Sequence, residues 1–434
     1  VRRIEFYGNT TTQDEVLRRE MIQLEGAPAS TESITQSRQR LERLGFFSQV
    51  EVDTQPVPGQ PDLLDVTYNV EEQPSGSISA SVGFSESAGV IYGVGLAQNN
   101  FLGTGNRVNV GAQRSDTFTS VNFAFTDPYW TLDGISRGYN VFYRETDYAD
   151  SDISTFSTDA YGAGINFGYP ISELSRLNFG ASIEDTTVKT YFDTASEIRR
   201  YVEDEGDNAQ SLKLTASWTR NNLNRGIMPT AGNYQRLSLE TGVPGSDAEY
   251  YKVQARAQQL FPINDDQTWA LKFSGNLGYA DTLASNDPYP FYENFYAGGL
   301  GSVRGFTSNT LGQRTTPARE GGRDRTLGGN VLVQGSAEVL FPMPFVENQR
   351  SVQPTLFLDA GNTFLSSCYD VLEEDAGRQQ CSSGVDLGDL RYSVGIGLSW
   401  LTPVGPLTFS IAEPLNDESG DDTQFFQFSL GQTF

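Results

Sequence analysis

Two hydrophobic periods divide the chain. Up to about residue 73 apolar positions recur at both helical and strand spacings; beyond Pro74 only a period of two persists, for about 360 residues. In the first part "VRRIEFYGN" predicts a strand that ends in a Gly-Asn turn. "TTQDEVLRREMI" sets Thr12 three residues ahead of Glu15, the spacing of a capping box, with Val16, Leu17 and Met21 in the turns that follow. "STESITQSRQRLERL" aligns Ile34, Leu41 and Leu44 on one face and stops at Gly45. "FFSQVEVDT" and "LLDVTYNVEE", divided by the breaker-rich "QPVPGQPD", predict two further strands. Residues 1–73 therefore read as a small α/β domain of order β-α-α-β-β, with nothing catalytic in it.

After Pro74 the alternation is regular. Ile78, Ala80, Val82 and Phe84 share one face, and Ser77, Ser79, Ser81 and Gly83 the other. Leu212, Leu214, Ala216 and Trp218 likewise oppose Lys213, Thr215, Ser217 and Thr219. About sixteen such segments start near 76, 89, 105, 117, 137, 155, 174, 208, 232, 249, 268, 329, 351, 388, 405 and 423. An even count suits a single-chain bacterial outer-membrane barrel. Short links such as "GYPISE", "FPINDDQ" and "TPVGP" alternate with long ones, notably at about 282–328 and 365–387. Alternation leaves open which face is wet: a soluble sandwich turns its apolar face inward. A sixteen-strand barrel can instead hold a watery lumen and turn the apolar face to lipid. Tyr129, Trp130, Trp269, Trp400 and Phe434 fall near predicted strand ends, where an interfacial girdle belongs. The expectation is a 16-stranded antiparallel transmembrane β-barrel over residues 74–434.

Composition narrows the chemistry. The 434 residues include no histidine, which removes the commonest general base and transition-metal ligand and with them triads and His-based zinc sites. A formal charge of -25 argues against nucleic acid as a partner. The two cysteines, Cys368 and Cys381, are too few for a disulfide scaffold or a four-ligand metal site. They read as one local disulfide, implying an oxidising compartment, or else as two free loop thiols. No run of 18 apolar residues exists, so no transmembrane helix is expected. Val1 opens directly into a strand-like pattern, the expectation for a processed or truncated chain. No catalytic residue, metal or cofactor is expected, and there is no GxxxxGK[ST] loop.

One stretch stands apart: "YENFYAGGLGSVRGF", Tyr292 to Phe306. Gly298, Gly299 and Gly301 permit positive φ and close backbone approach. A phosphate cradle is disfavoured, because no helix start and no lysine follow.

Five blocks carry a resemblance: "PYPFYENFYAGGLGSVRGF" (Pro288 to Phe306), "PTLFLDAGNTF" (Pro354 to Phe364), "LTPVGPLTFSIAEP" (Leu401 to Pro414), the terminal "FFQFSLGQTF", and "GIMPTAGNYQRLSLETGVPGSDAEYYKV". Together they resemble the BamA family of outer-membrane assembly proteins, and residues 1–73 are similar to its POTRA domain nearest the barrel. The resemblance spans essentially the whole chain. It implies a non-enzymatic protein of the Gram-negative outer membrane, with its N-terminal domain in the periplasm. Such a protein folds and inserts unfolded client β-barrels into the lipid bilayer, together with outer-membrane lipoproteins and without nucleotide hydrolysis. A related POTRA-barrel translocation or secretion pore is the alternative within the family plan. A passive porin is disfavoured by the N-terminal module, and familiar His-dependent barrel hydrolases by the missing histidine.

The resemblance also implies site residues. The loop carrying Val303, Arg304, Gly305 and Phe306 folds back into the lumen as a latch, where Arg304 meets Glu338 and Asp359. From the residues alone Arg304 could equally be an unremarkable loop arginine. Alternation independently turns Asp359 inward, since Phe357 and Asp359 oppose Leu356, Leu358 and Ala360. Phe364 then falls opposite Phe357, which a slip of phase near Gly361 would reconcile. A lateral seam is implied between a first strand from Gly76 to Phe84 and a last strand from Gln424 to Phe434. In the latter Phe426, Phe428 and Leu430 alternate toward Phe434 as the protein's own assembly signal. Gly431 reads either as ordinary strand sparsity or as a kink that weakens the seam.

Overall fold

The computed structural model describes residues 1–131, 133–149, 154–284, 287–344, 346, 351–379, 381–403, 405–418 and 420–431. Its first elements are β1 (Arg3–Tyr7), α1 (Asp14–Arg18), α2 (Thr31–Arg43), β2 (Phe47–Val57) and β3 (Gln60–Glu72). The sheet has the order β1-β3-β2, with β1 parallel and β2 antiparallel to the central β3. Leu17, Leu41, Val66 and Tyr68 are fully buried between sheet and helices. At about 1.5–3 kcal/mol for each large apolar side chain removed from water, these hold the module together. The Ser30 side chain caps α2 by accepting from the Ser33 amide, and the chain leaves the helix at Gly45 with φ +72°.

The capping box expected at Thr12 and Glu15 does not form. The residue before α1 is Gln13, which makes no side-chain cap bond. Thr12 is taken by tertiary partners: its amide donates to Glu72 Oε1 at 2.6 Å, and its hydroxyl accepts from Asn100 Nδ2 at 2.8 Å. Glu72 also accepts from the Thr11 amide and the Thr10 hydroxyl. Burial alone would raise its pKa, but these bonds from Thr12, Thr10 and Thr11 outweigh it and hold the carboxyl at about 2 against 4.5 when free. A depressed carboxylate pKa stabilises the fold above the unfolded value and loses that contribution as pH falls through the folded one. Amide-exchange protection of Thr11 and Thr12 is therefore expected to hold at neutral pH and to decline between pH 4.5 and about 2. In Glu72→Gln it should be weaker at neutral pH and flat across that window.

The remaining strands are β4 (Gly76–Ser85), β5 (Gly89–Phe101), β6 (Asn106–Arg114), β7 (Phe118–Asp127), β8 (Ser136–Asp147), β9 (Phe156–Pro170), β10 (Ser175–Thr190), β11 (Asn208–Asn221), β12 (Gly232–Gly242), β13 (Tyr250–Pro262) and β14 (Ala270–Thr282). A small hairpin, β15 (Gln313–Arg314) and β16 (Thr326–Gly328), lies within the long loop. Then come β17 (Val331–Leu340), β18 (Val352–Phe364), β19 (Arg391–Thr402), β20 (Gly405–Pro414) and β21 (Phe426–Leu430). Strands β4–β14 and β17–β21 close into one sixteen-stranded barrel, as the segment count predicts. The last strand starts at Phe426 instead of near 423. A third helix, α3 (Ser196–Glu205), fills the β10–β11 connection.

Closure settles which face is wet. Leu212 and Leu214 on β11, Leu237 and Leu239 on β12, Phe273 and Leu277 on β14, and Leu356 and Leu358 on β18 are exposed, while Lys213, Glu338 and Asp359 between them are buried. An apolar outer face on a closed barrel matches hydrocarbon, and a polar inner face matches a lumen. Trp130, Trp269 and Trp400 are exposed, as a girdle requires. Tyr129 instead lies under the Arg19 guanidinium, 4.4 Å from its ring centroid, and Phe434 lies outside the described residues. No slip of phase occurs in β18: its register against β17 runs unbroken from Thr355 to Phe364. Alternate exposure ends near Gly361 because loops cover both faces beyond it, so Phe364 is buried without changing sides.

The chain packs as two compact units, one of Val1–Ser79 with Val94–Gly111 and Asn122–Asn140, the other of the rest. Within the first, the Gln13 amide donates to Gly103 O at 2.9 Å. Gly103 has φ +74°, and a Cβ there would stand 1.9 Å from the Thr11 carbonyl oxygen, so only glycine fits.

Candidate functional site: a loop anchored inside the barrel

The segment between β14 and β17 turns into the lumen. Phe295, Ala297, Val303, Phe306 and Leu311 pack against Tyr250, Ala280 and Leu332 of the wall. Reciprocal backbone bonds between Phe295 and Gly329, at 2.8 and 3.0 Å, tie its two limbs together. Gly298 and Gly299 take φ of +109° and +92° to make the tight turn, whereas Gly301 does not adopt positive φ.

Arg304 is held by the wall at several points. Its Nε and Nη2 donate to Asp359 Oδ2 and Oδ1, each at 2.7 Å, a bidentate fork. Nη2 also reaches Glu338 Oε1 at 3.1 Å and Ser336 Oγ at 3.2 Å, and the Arg304 amide donates to Asp359 at 3.2 Å. The guanidinium carbon lies 3.5 Å from the centroid of the Phe357 ring. The implied trio of Arg304, Glu338 and Asp359 is thus brought together, with Asp359 fully buried. Val303 and Phe306 on either side are also fully buried and pin the loop by packing.

A second anchor of opposite sign was not legible from the motif. Glu293, in a short 3-10 turn (Phe291–Glu293), accepts from Lys213 Nζ at 2.8 Å and from Lys252 Nζ at 3.3 Å. Lys252 also donates to the Glu293 carbonyl at 2.7 Å, and Lys213 contacts Glu184 at 3.2 Å. Burial alone would raise the Glu293 pKa, but the two lysines outweigh it and hold the carboxyl well below its ordinary range. The available signal was Lys213 itself, a lysine on the lumen face of a strand, which needs a carboxylate there.

The third anchor is polar and lies on the last strand. Gln427, almost fully buried, accepts from the Gly305 amide through Oε1 at 3.3 Å and donates through Nε2 to Phe306 O at 2.7 Å. Gly305 has φ +90°, and a Cβ would lie 3.1 Å from that of Ala412 on β20. Gln427 lies between Phe426 and Phe428 in sequence, and nothing local named its partner.

Where β4 meets β21 the ladder is short. Among the described residues two register pairs join them, Ser429 with Ser85 and Leu430 with Phe84, against five between β20 and β21. The Phe84 and Phe428 rings stack at 5.1 Å across the junction. Gly431 has φ +82°, directly follows Leu430 and lies against Gly83 of β4. Gly76 takes no part in this pairing and stands beside Gln98 of β5. Cys368 and Cys381 form a disulfide. The Tyr369 hydroxyl within its ring donates to Asn294 Oδ1 at 3.2 Å, and Tyr369 packs with Phe291 and with Ile198 and Tyr201 of α3 over the loop.

Comparison with known proteins bears on this arrangement. Residues 100–434 match the Omp85 superfamily domain, and residues 1–73 match a POTRA model described as a surface antigen variable number repeat. The chain belongs to the Omp85 superfamily. Within it the chain is similar to the outer membrane protein assembly factor BamA of Neisseria meningitidis serogroup B, 38% identical over 453 residues covering 100% of this chain and 56% of that protein. BamA of Neorickettsia risticii is 27% identical over 100% of this chain and 55% of its own. The crystal structure of BamA from Haemophilus ducreyi lacking POTRA domains 1–3 superposes with a TM-score of 0.88 at 32% identity, covering 100% of this chain and 84% of that one. CdiB from Acinetobacter baumannii, at TM-score 0.58 and 14% identity over 99% of this chain and 73% of that one, shares the fold alone. The chain spans about half the length of the curated relatives it matches. As a POTRA-bearing Omp85 barrel it is an outer-membrane protein, with the N-terminal module periplasmic.

Proposed function

We propose that this chain is the membrane-embedded part of an outer-membrane assembly factor, with residues 1–73 as a POTRA domain and 74–434 as the barrel. It folds and inserts client β-barrels through the junction of β4 and β21, without catalytic residues, cofactor or nucleotide hydrolysis. Its partners on this reading are unfolded barrel clients, outer-membrane lipoproteins and the bilayer itself. The observation that carries the reading is the ladder between β4 and β21, two pairs long among the described residues, in an otherwise continuous barrel. Among the described residues, β4 from Gly76 to Gly83 has no register partner in β21. Unpaired strand edges in hydrocarbon cost several kcal/mol per polar group, so such an edge is a template for an incoming strand. A client that pairs there satisfies its backbone before it meets lipid. The latch loop, held by Arg304, Glu338 and Asp359, gives the wall a fixed internal support while the junction parts.

A secretion or conduction pore needs an open lumen, whereas here the loop occupies it. Vesicles carrying the full-length protein with its lipoprotein partners should accelerate insertion of an unfolded client barrel over empty vesicles. Solute conduction with no gain in insertion rate would instead indicate a pore.

A further inference from the structure

The loop does not stop at the wall carboxylates. Beyond Arg304 it runs along the approach to β21: the Gln424 amide donates to Gly305 O at 2.8 Å, and the Thr307 amide donates to Asp422 O at 2.8 Å. Phe306 and Thr423 form an isolated antiparallel bridge between these bonds. The Gln427 side chain adds its two bonds, to Gly305 N and Phe306 O, the donor and acceptor pattern of one more peptide unit. Residues 305–307 thus pair with 422–427 as a short additional strand would. On the far side of the junction, Glu86 at the end of β4 accepts from Gln424 Nε2 at 2.9 Å. The loop is therefore bonded to the approach to β21 and to Gln427 within it, and that assembly reaches the first hairpin through Gln424 and Glu86, beside a direct ladder of two register pairs among the described residues.

We infer that Gln427, with Gln424, couples the latch to the seam: the loop anchored through Arg304 holds the last strand in place beside the first hairpin, and releasing the loop frees the junction. The inference rests on the reading of the β4–β21 junction as the seam. Gln427 is a positioning residue in this scheme. It is buried, with its shortest hydrogen bond, 2.7 Å to Phe306 O, made to the loop backbone, and losing it costs the Gly305 amide the Gln427 Oε1 acceptor and leaves the Phe306 carbonyl with the Gly299 amide, 3.1 Å away. Arg304 and Gly305 are adjoining residues of one loop, gripped from two walls, by Glu338 and Asp359 of β17–β18 on one side and by Gln427 of β21 on the other.

The test reads the junction directly and needs no client. Ser429, fully buried opposite Ser85, is replaced by cysteine in the full-length protein in liposomes, and its labelling by a membrane-impermeant maleimide is timed. Gln427→Leu removes both bonds to the loop backbone and should speed labelling roughly tenfold. Gln427→Glu keeps the acceptor for Gly305 and loses the donor to Phe306, so an intermediate rate is expected. Arg304→Ala should also speed labelling, and the double variant Arg304→Ala with Gln427→Leu should be no faster than the faster single one, because both release the same element. Gel heat-modifiability confirms a closed barrel in each case. A parental labelling rate in either folded Gln427 variant, or single effects that multiply in the double variant, would overturn the coupling. Should client insertion fail while labelling responds as described, the coupling stands and the assembly reading is what falls.

Discussion

Arg304→Ala is expected to leave Asp359 and Glu338 buried without their guanidinium and to lower the stability of the folded barrel by about 3–5 kcal/mol, the cost of removing one partner from a buried ion pair. Lys272 still contacts Glu338 at 3.3 Å, so Asp359 is the orphan that dominates. The barrel should then reach the membrane in reduced amount, with a lower unfolding temperature on heat-modifiability gels, while the N-terminal module keeps its exchange protection. Arg304→Lys should recover only part of the loss, because an ammonium cannot reproduce the fork on the two Asp359 oxygens. Growth and barrel yield indistinguishable from the parent in a complementation strain carrying Arg304→Ala would show that the latch carries no weight.

The second large effect is expected at the opposite end of the same loop. In Glu293→Ala, Lys213 and Lys252 lose the carboxylate they share; Glu184 remains for Lys213, but Lys252 keeps only the backbone carbonyl at that position if the chain stays in place. Two ammonium groups on one patch of wall, with Glu184 in direct contact with Lys213 alone, repel, and about 3–5 kcal/mol is again the expected scale. Because Glu293 sits beside Phe291 and Asn294, which pack under Tyr369 and α3, the loss should spread outward. Limited proteolysis should cut the β10–β11 connection faster than in the parent, and Glu293→Gln should behave like the alanine variant, since charge is what the lysines need. Unchanged cleavage together with an unchanged unfolding temperature would place the loop's hold elsewhere.

These two anchors differ in how far the sequence disclosed them. Arg304 with Asp359 and Glu338 came from the resemblance, and the inward turn of Asp359 also from strand parity. Glu293 with Lys213 and Lys252 joins residues 80 and 41 positions apart, and Gln427 reaches a backbone 122 positions away. No periodicity encodes such pairs. The sixteen strands were legible because period two is imposed by the pleat and repeats in every strand. Which face was wet became decidable only with closure, since alternation reads the same from either side. Where local rules failed, tertiary demand had won. Thr12 has the cap spacing, yet Glu72 and Asn100 claim its amide and hydroxyl. Phe364 suggested a shifted phase, yet loops cover both faces of β18 past Gly361. Helix α3 was missed because its apolar stripe, Ile198 and Tyr201, is short and set among acidic and basic residues. Gly431 could be read two ways, and its φ of +82° is a backbone conformation that period-two alternation does not encode.

If clients enter through the junction of β4 and β21, locking that junction stops insertion. Ser85→Cys and Ser429→Cys place two cysteines on directly paired residues, where a disulfide would lock the junction. The measurement is the rate of client-barrel insertion into vesicles by the full-length locked protein, before and after reduction, with the parent treated alike to account for its own Cys368–Cys381 bond. Insertion near the rate of empty vesicles is expected while locked, with recovery to the reduced parent's rate once the bond is cut. Insertion at the parental rate with the lock closed would contradict entry through the junction.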